Sequence, residues 1–426
     1  MAPSPSAVVI HSYQVGFGDC FLLSFEYDAG EAKHVLIDFG STGLPKGVTQ
    51  SRMMEIALDI KKRTGKLAAV VATHRHKDHI SGFATAKNGK GTGDVIASLK
   101  PDLVIQPWTE DPALEREATG PKARVTQAGK QVSALIAMHD LASLSLDEVK
   151  RSRALPKELR RQLSFLGEDN IKNKSAVVNL MKMAKNNYVY TGKSAGLGKI
   201  LPGVKVHVLG PPTVRQTETI KKQRHKDPDE FWHLQALAMM AHGGAGSGKP
   251  LFPRHVRSRG SNFPVEARWL IYHARKLRGE QLLQIVRMLD DAMNNTSVIL
   301  VFEVGKTTLL FPGDAQIENW QYALDQKKKY GDLLKGIRLY KVGHHGSLNA
   351  TPKSLWKLFR HRTKSANATK RLISLMSTME GKHGSEENDT EVPRSKLVSA
   401  LAGETDHFST QQLKGKALSH ETRLKF

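Results

Sequence analysis

The chain of 426 residues has little cysteine, no long apolar run and no leader-like start. Its single cysteine, Cys20, leaves no internal disulfide to form. No stretch approaches the roughly 18 consecutive apolar residues that a membrane span requires. Residues 1–6 lack the basic flank and long apolar segment of a secretory signal peptide. Together these absences predict a cytoplasmic protein that does not enter a membrane.

Acidic residues are also scarce. The chain has 64 Lys and Arg against 41 Asp and Glu, so its formal net charge is +23 and its pI is about 9.9. A field of that sign attracts polyanions and steers them to the protein. Nucleic acid is the commonest such partner. A role in solubility, or an acidic protein partner, is the alternative explanation of the charge.

A histidine-rich loop is the strongest chemical signal. Residues 73–79 read THRHKDH and follow the apolar run at 67–72, which predicts a buried strand, while residues 80–86 predict the first turns of a helix. Alternation in an extended segment places His74 and His76 on one side. Asp78 and His79 then turn toward a second position. Imidazole and carboxylate ligands suit zinc and similar ions, so this loop predicts ligands for two adjacent metals. The alternative is a solvated histidine-rich loop.

Further ligand-type residues follow other predicted strands. Asp38 ends an apolar run at 34–38 beside glycine, which suits a partner for a metal-bound histidine. Asp314 follows a predicted hairpin of strands at 294–302 and 306–311. His344 and His345 lie between glycines at the end of a predicted strand beginning at Leu339, where a pair of core histidines is not expected.

Three motifs resemble those of the metallo-β-lactamase superfamily. The sequence VGFGDC at 15–20, LIDFG at 36–40 and KVGHHGS at 341–347, together with the histidine loop, are similar to the lactamase-fold domain of the DNA-uptake protein ComEC and its free-standing relatives. Phe17 stands where that family usually has glutamine. The resemblance covers residues 8–105, 204–212 and 294–410. It implies the α/β fold of the superfamily, an αββα sandwich, here with helical basic insertions.

The resemblance also implies a dinuclear metal site. Zn²⁺ is the expected ion and Mn²⁺ the alternative. One ion is assigned to His74 and His76, and the other to Asp78, His79 and His345, with Asp314 bridging the two ions. His344 is the second candidate for the ligand role of His345. Asp38 is assigned as a hydrogen-bond partner of a metal-bound histidine. Asp78 could also orient the attacking water. Either His344 or His383 could protonate the leaving oxygen, although the family pattern around His383 is interrupted by an acidic loop.

Two basic segments interrupt this pattern. We predict a first half of the metallo-β-lactamase fold at 1–109, an inserted helical basic lobe at 110–200, and a second half at 201–426 with an inserted segment at about 216–291. In the lobe, Arg151, Arg153, Arg160 and Arg161 are candidates for contacts to a phosphate backbone. A solvated helix face is the alternative for any one such cluster.

These features predict a metal-dependent hydrolase, a phosphodiesterase or nuclease that acts on DNA or RNA through water activated by two metals. A hydrolase of a small anionic ester or lactone is one alternative, and a metal-depleted nucleic-acid-binding protein is another. The net charge favours the nuclease over the small-molecule hydrolase. A regulatory protein partner, for example in phage defence, is a further hypothesis.

Overall fold

The fold is known from a computed structural model. It describes residues 3–28, 30–49, 51–111, 173–213, 215–217, 294–347, 351–365, 370–382 and 391–426. The strands are β1 Ala7–Tyr13, β2 Phe21–Glu26, β3 Lys33–Ile37, β4 Ala69–Val71, β5 Leu103–Pro107, β6 Lys185–Val189, β7 Val204–Gly210, β8 Ile299–Val304, β9 Thr307–Phe311, β10 Ile337–Lys341, β11 Ile373–Met376, β12 Asp406–Ser409 and β13 Ser419–Lys425. The α-helices are α1 Arg52–Thr64, α2 Lys77–Ile80, α3 Thr92–Ser98, α4 Lys174–Lys182, α5 Ile317–Asp325, α6 Lys327–Lys335, α7 Lys353–Leu358 and α8 Ser395–Glu404.

The strands form two mixed sheets. The first has seven strands in the order β13-β1-β2-β3-β4-β5-β6, antiparallel from β13 to β3 and parallel from β3 to β6. The second has six strands in the order β12-β11-β10-β9-β8-β7, parallel from β12 to β9 and antiparallel from β9 to β7. The parallel strands β3, β4, β9 and β10 each lead into a loop that carries ligand-type residues.

The two sheets share one apolar core. Alternate residues of β1, β2 and β3 pack with alternate residues of β8 and β9, because successive side chains of a strand point to opposite faces of the sheet. Aromatic rings join the sheets directly: Phe21 lies 5.9 Å from Phe311 and Phe25 lies 5.8 Å from Phe302, measured between ring centroids. The sheets therefore face each other and fix the relative positions of the loops at their ends.

Helices cover the other face of each sheet. A second apolar cluster joins the first sheet to α1, α3 and α4 through residues such as Ile56, Ile96 and Leu180. A third joins the second sheet to α5, α6, α7 and α8 through residues such as Trp320 and Leu334. Of the described helices, none is long and apolar enough to cross a membrane.

The structure confirms an α/β class and most of the predicted strands, while the specific metallo-β-lactamase sandwich stays a prediction. The helix expected at 80–86 is wrong in extent: α2 begins earlier, at Lys77, and a 3₁₀ turn at Ser81–Phe83 ends it. Gly82 explains this ending, because its N–H donates to Phe39 O and its Cα lies so close to the Phe39 ring that a Cβ would stand 2.5 Å from it.

Of the expected lobe at 110–200, the described residues are 110–111 and 173–200. In the second of these ranges the chain is part of the first sheet. There α4 packs on the first sheet, and β6 pairs with β5 in register from Leu103↔Lys185 to Pro107↔Val189. Residues 173–200 are thus joined to the sheet. Arg151, Arg153, Arg160, Arg161 and most of the segment at 216–291 lie outside the described residues.

Candidate metal centre

The ligand-type residues converge because each follows a strand that ends on the same side of the molecule. Asp38 follows β3, the histidine loop follows β4, Asp314 follows β9, and His345 follows β10. Carboxyl ends of neighbouring parallel strands meet at one end of a sheet, and the facing sheets bring the two sets of loops together. All of these side chains are at least nine-tenths buried.

Four side chains form the centre of the cluster: Asp78, His79, Asp314 and His345. Their ligand atoms all lie within 4.8 Å of one another. Nε2 of His345 lies 2.9 Å from Oδ2 of Asp78, and Nε2 of His79 lies 3.0 Å from Oδ2 of Asp314. The first sheet supplies two of the four groups and the second sheet supplies the other two.

Asp38 and Thr73 fix the ring of His79. Nδ1 of His79 donates to Oδ2 of Asp38 at 2.8 Å, and Thr73 donates to Asp38 from both its N–H and its hydroxyl, at 2.8 and 2.7 Å. Because Nδ1 faces Asp38, Nε2 of His79 faces the cluster. Although burial opposes the charged ring, the carboxylates of Asp314 and Asp78 raise the pKa of His79, so the ring is protonated when no metal is bound. The structure therefore places Asp38 where a partner of a ligating histidine would stand.

His345 is fixed in the same manner from the other sheet. Its Nδ1 donates to Ser377 O at 2.9 Å, which leaves Nε2 facing Asp78. The ring of Phe17 packs against it, 4.3 Å away between centroids. His344 and His345 both have positive φ, 42° and 52°, which side chains other than glycine rarely adopt. Such strain persists only where surrounding contacts impose it, and it concentrates at functional sites.

His74 and His76 lie beside this centre. The His74 ring is 4.1 Å from the His79 ring, and its Nε2 is 3.0 Å from Nδ1 of His76. Burial, followed by the neighbouring His79, holds the pKa of His74 well below its ordinary value, so its imidazole is neutral. A neutral imidazole is the form that binds a metal.

Close backbone contacts hold the loop that carries Asp78. The N–H of Asp19 donates to Asp78 O at 2.9 Å, and the N–H of Phe39 donates to His79 O at 2.8 Å. Gly40 lies against this loop: a Cβ there would stand 2.4 Å from both Asp78 C and His79 N. Only glycine fits at that approach, which gives the glycine at the end of the LIDFG motif a physical role.

Two charged residues in the site have no role in the sequence-based ligand set: Asp19 and Lys341. The Lys341 ammonium contacts Asp19 Oδ2 and lies 3.5 Å from Oδ1 of Asp314 and 3.3 Å from Gly313 O. Both side chains are almost fully buried. Burial disfavours the ammonium, but the carboxylates of Asp19 and Asp314 outweigh it and raise the pKa of Lys341. Both residues belong to motifs described above, VGFGDC and KVGHHGS, but the sequence does not show that these two distant residues form an ion pair.

The electrostatics of the centre match its geometry. Although burial opposes the charged form, His79 and the hydrogen bond from His345 keep the pKa of Asp78 below its ordinary value, and His79 does the same for Asp314. These carboxylates are therefore ionised. The same carboxylates raise the pKa of His79 and His345 against the effect of burial, so protons on these two rings balance the negative charge when no metal is bound. A divalent cation would replace those protons.

The donor set also passes a test of fit for a divalent ion. Nε2 of His79 and Oδ1 of Asp78 are buried without an aligned hydrogen-bond partner among the described residues. Leaving such atoms unpaired costs free energy, unless they have another ligand. Together with His345 and Asp314, these residues provide two imidazoles and two carboxylates, which is the donor chemistry of a zinc or manganese site.

The remaining predicted site residues differ in position. His344 is half-buried at the rim, where its N–H donates to Asp314 Oδ1 at 3.0 Å and its Nδ1 lies 2.7 Å from the Ser347 hydroxyl. Its ring is outside the four-residue cluster, so the geometry favours His345 over His344 as a ligand. His383 lies outside the described residues.

Comparison with known proteins adds no identification to this geometry. The chain matches no protein-family model, and none of the curated proteins matches it.

Proposed function

We propose that this protein is a metal-dependent hydrolase that cleaves phosphodiester bonds of a nucleic acid. The observation that carries the proposal is the buried cluster of Asp78, His79, Asp314 and His345, with ligand atoms within 4.8 Å of one another. The similarity of its motifs to ComEC-type lactamase-fold domains supports the same reaction class. The net charge of +23 supports a polyanionic substrate.

The cluster and the adjacent histidines would hold two divalent ions, Zn²⁺ or Mn²⁺. In this assignment His74 and His76 hold one ion, Asp78, His79 and His345 hold the other, and Asp314 is shared. Bound there, such ions supply a water of lowered pKa and stabilise negative charge on a phosphoryl group.

The protein's own groups have distinct tasks in this proposal. Asp38 and the carbonyl of Ser377 orient the rings of His79 and His345 by accepting from Nδ1. Asp78 has one carboxylate oxygen near His345 and one without an aligned partner, which suits it to orient a water.

A proton donor for the leaving oxygen must be reachable from solvent. His344 meets this condition, because it is half-buried at the rim and held by Ser347 and by its own N–H on Asp314. The role proposed for His383 remains a hypothesis from the sequence.

One experiment tests the proposal and separates it from its alternatives. Purified protein is incubated with single- and double-stranded DNA and RNA, and with a small phosphodiester, a lactone and a carboxylic ester, while Zn²⁺, Mn²⁺ or Mg²⁺ is added in turn. We expect nucleic-acid cleavage that needs metal and falls by several orders of magnitude in Asp78→Ala. Hydrolysis of the lactone or ester alone would favour the small-molecule alternative. Metal-independent binding without hydrolysis of any substrate would favour a binding protein.

A further inference from the structure

The basic excess of the described chain is unevenly distributed, and most of it lies in two segments. The first, residues 173–217, contains seven Lys and Arg and no Asp or Glu. Residues 3–111 contain 12 Lys and Arg and 12 Asp and Glu, so they carry no net charge. Residues 327–371 contain 13 Lys and Arg and one acidic residue, Asp332. This second segment forms α6, β10, α7 and the start of β11. Residues 327–371 therefore contribute the largest share of the positive charge of the described residues.

Helix α6 begins against the usual electrostatic rule. Its first three residues are Lys327, Lys328 and Lys329, and its first turn has no acidic residue. A helix N-terminus carries partial positive charge and favours Asp or Glu there. Lys353 likewise opens α7, also without an acidic residue in the first turn. These lysines oppose the helix dipole, so local helix stability does not explain them.

The four lysines are exposed, and none forms an ion pair with a carboxylate among the described residues. Asp332, the one acidic residue of the segment, pairs with Lys335 at the other end of α6. We call Lys327, Lys328, Lys329 and Lys353 the four-lysine surface.

This surface lies toward the end of the molecule that holds the metal centre. Helix α6 ends just before β10 begins and packs back along the second sheet, so its first turn lies toward the end of β10 that leads to His344 and His345. Helix α7 starts from the same end, where Thr351 bonds the Tyr340 hydroxyl at 2.8 Å, and finishes where the N–H of Arg360 donates to Lys335 O. The two helices therefore run side by side with their lysine-bearing first turns together.

A second set of contacts places Lys329 at the same end. Its ammonium lies beside Gly192, whose N–H donates to Val208 O near the end of β7. The end of β7 pairs with the start of β8 at Gly210↔Ile299. Just before β8, the Ser297 hydroxyl accepts from the N–H of Asp314 in the metal centre.

We propose that the four-lysine surface binds the phosphate backbone of a nucleic acid and leads it toward the metal centre. That this nucleic acid is a substrate of the metal centre rests on the proposed function. Membrane-surface helices pair their lysines with apolar side chains that insert into lipid. Here no large apolar side chain is exposed among the described residues of 327–371, and Tyr330 and Leu334 of α6 are buried in the core. Protein interfaces favour aromatic and apolar anchors and are poor in lysine. Exposed lysines without either feature fit a phosphate backbone best.

The test compares two triple variants of the full chain. The first variant combines Lys327→Gln, Lys328→Gln and Lys329→Gln. The matched control combines three substitutions of exposed lysines in residues 3–111, which carry no net charge: Lys62→Gln, Lys87→Gln and Lys90→Gln. Both carry Asp78→Ala so that bound strands stay intact, and binding to fluorescent oligonucleotides is measured in EDTA over a salt series. We expect the first triple to flatten the slope of log affinity against log salt by about 2 relative to the control for a single strand, at about 0.7 per phosphate contact. Its unfolding temperature should stay equal or rise, because lysines that oppose the dipole are removed.

Each outcome decides the matter. Equal slopes in the two triple variants would reject the four-lysine surface as a nucleic-acid site. Binding to phosphatidylserine vesicles is measured on the same proteins. If the first triple variant loses vesicle binding and keeps nucleic-acid binding, the proposal is likewise rejected. If the slope is flattened but the wild type cleaves no nucleic acid, the four-lysine surface is supported and the nuclease activity is rejected. If the slopes are equal but the wild type cleaves nucleic acid with metal, the nuclease activity is supported and the four-lysine surface is rejected.

Discussion

Nε2 of His345 lies 2.9 Å from Oδ2 of Asp78, although the two residues stand 267 positions apart in the chain. The neighbouring His344 points its ring elsewhere, toward the Ser347 hydroxyl and Asn294. This difference between adjacent histidines gives a matched pair of variants for testing the metal centre.

We expect His345→Ala to lose bound metal and His344→Ala to keep it. Wild type should hold close to two divalent ions per chain after reconstitution, and His345→Ala fewer, because one of the four central donors is removed. Elemental analysis of the dialysed proteins measures both. Equal metal content in the two variants would reject His345 as a ligand, and a metal-free wild type would reject the centre itself.

Asp38→Asn should weaken metal binding without displacing a donor. Asp38 accepts from Thr73 at Oδ1 and from Thr73 and His79 at Oδ2, whereas an amide has one oxygen and must turn its NH₂ group toward one of these donors. Asparagine also tolerates the φ of 54° at this position. We expect affinity to fall about 10–100-fold, as for other partners of ligating histidines. Competition with a chelator measures this, with Asp59→Asn, on α1 and outside the centre, as the control.

Lys341→Met should be strongly destabilising because it leaves Asp19 and Asp314 buried without their ammonium. Breaking a buried ion pair from one side costs about 3–5 kcal/mol. The double variant Asp19→Asn with Lys341→Met should recover part of the loss, since one of the stranded charges is then absent. Denaturant unfolding of the metal-free proteins gives the four free energies. Additive single effects would show that the two residues do not act as a pair.

His407 should make stability depend on pH. Burial lowers its pKa in the folded state to about 4, from an ordinary value of 6.5, and its Nδ1 bonds the Ser374 hydroxyl at 2.8 Å. Because the unfolded chain takes up the proton first, the contribution is complete above pH 6.5 and is lost as the pH falls from there toward 4. For one site of these two pKa values the loss is about 2 kcal/mol at pH 5.

The measurement for His407 is a comparison of unfolding free energies at pH 7.5 and pH 5. The wild type should lose more stability than His407→Gln, which has no ring to protonate. His361→Gln, at a histidine less buried than His407, serves as the control and should follow the wild type closely. An equal pH dependence of wild type and His407→Gln would reject the role of this ring.

The sequence predicts those parts of the fold that depend on short patterns. Short continuous apolar runs locate β1, β2 and β3, because a strand that is buried on both faces has few polar positions. They do not locate the end of α2, which is set by contact of Gly82 with Phe39, a residue of another loop. They also do not show that residues 185–189 join the first sheet, because that strand is polar and its partner β5 is distant in sequence.

The candidate centre shows the same division. Ligand-type residues are visible as letters at short spacing, and the structure brings His74, His76, Asp78, His79, Asp314 and His345 together. Asp19 and Lys341 are equally buried there, but a buried ion pair is recognisable only when both strands are in place. The sequence ranks His345 before His344 as the ligand. The hydrogen bond from His345 to Ser377 O, which turns Nε2 toward Asp78, is the feature that separates the two rings, and it joins residues too far apart in sequence to be predicted.

The ladder between β1 and β13 has a consequence for incomplete chains. Seven register pairs, from Ala7↔Lys425 to Tyr13↔Ser419, cover one side of a strand whose residues are all buried. A chain that stops before Ser419 leaves that side open, with the unpaired N–H and C=O groups of an apolar strand ready to pair with another molecule. Fragments lacking β13 should therefore self-associate through β1. In the intact chain, β13 covers this edge and should prevent such aggregation.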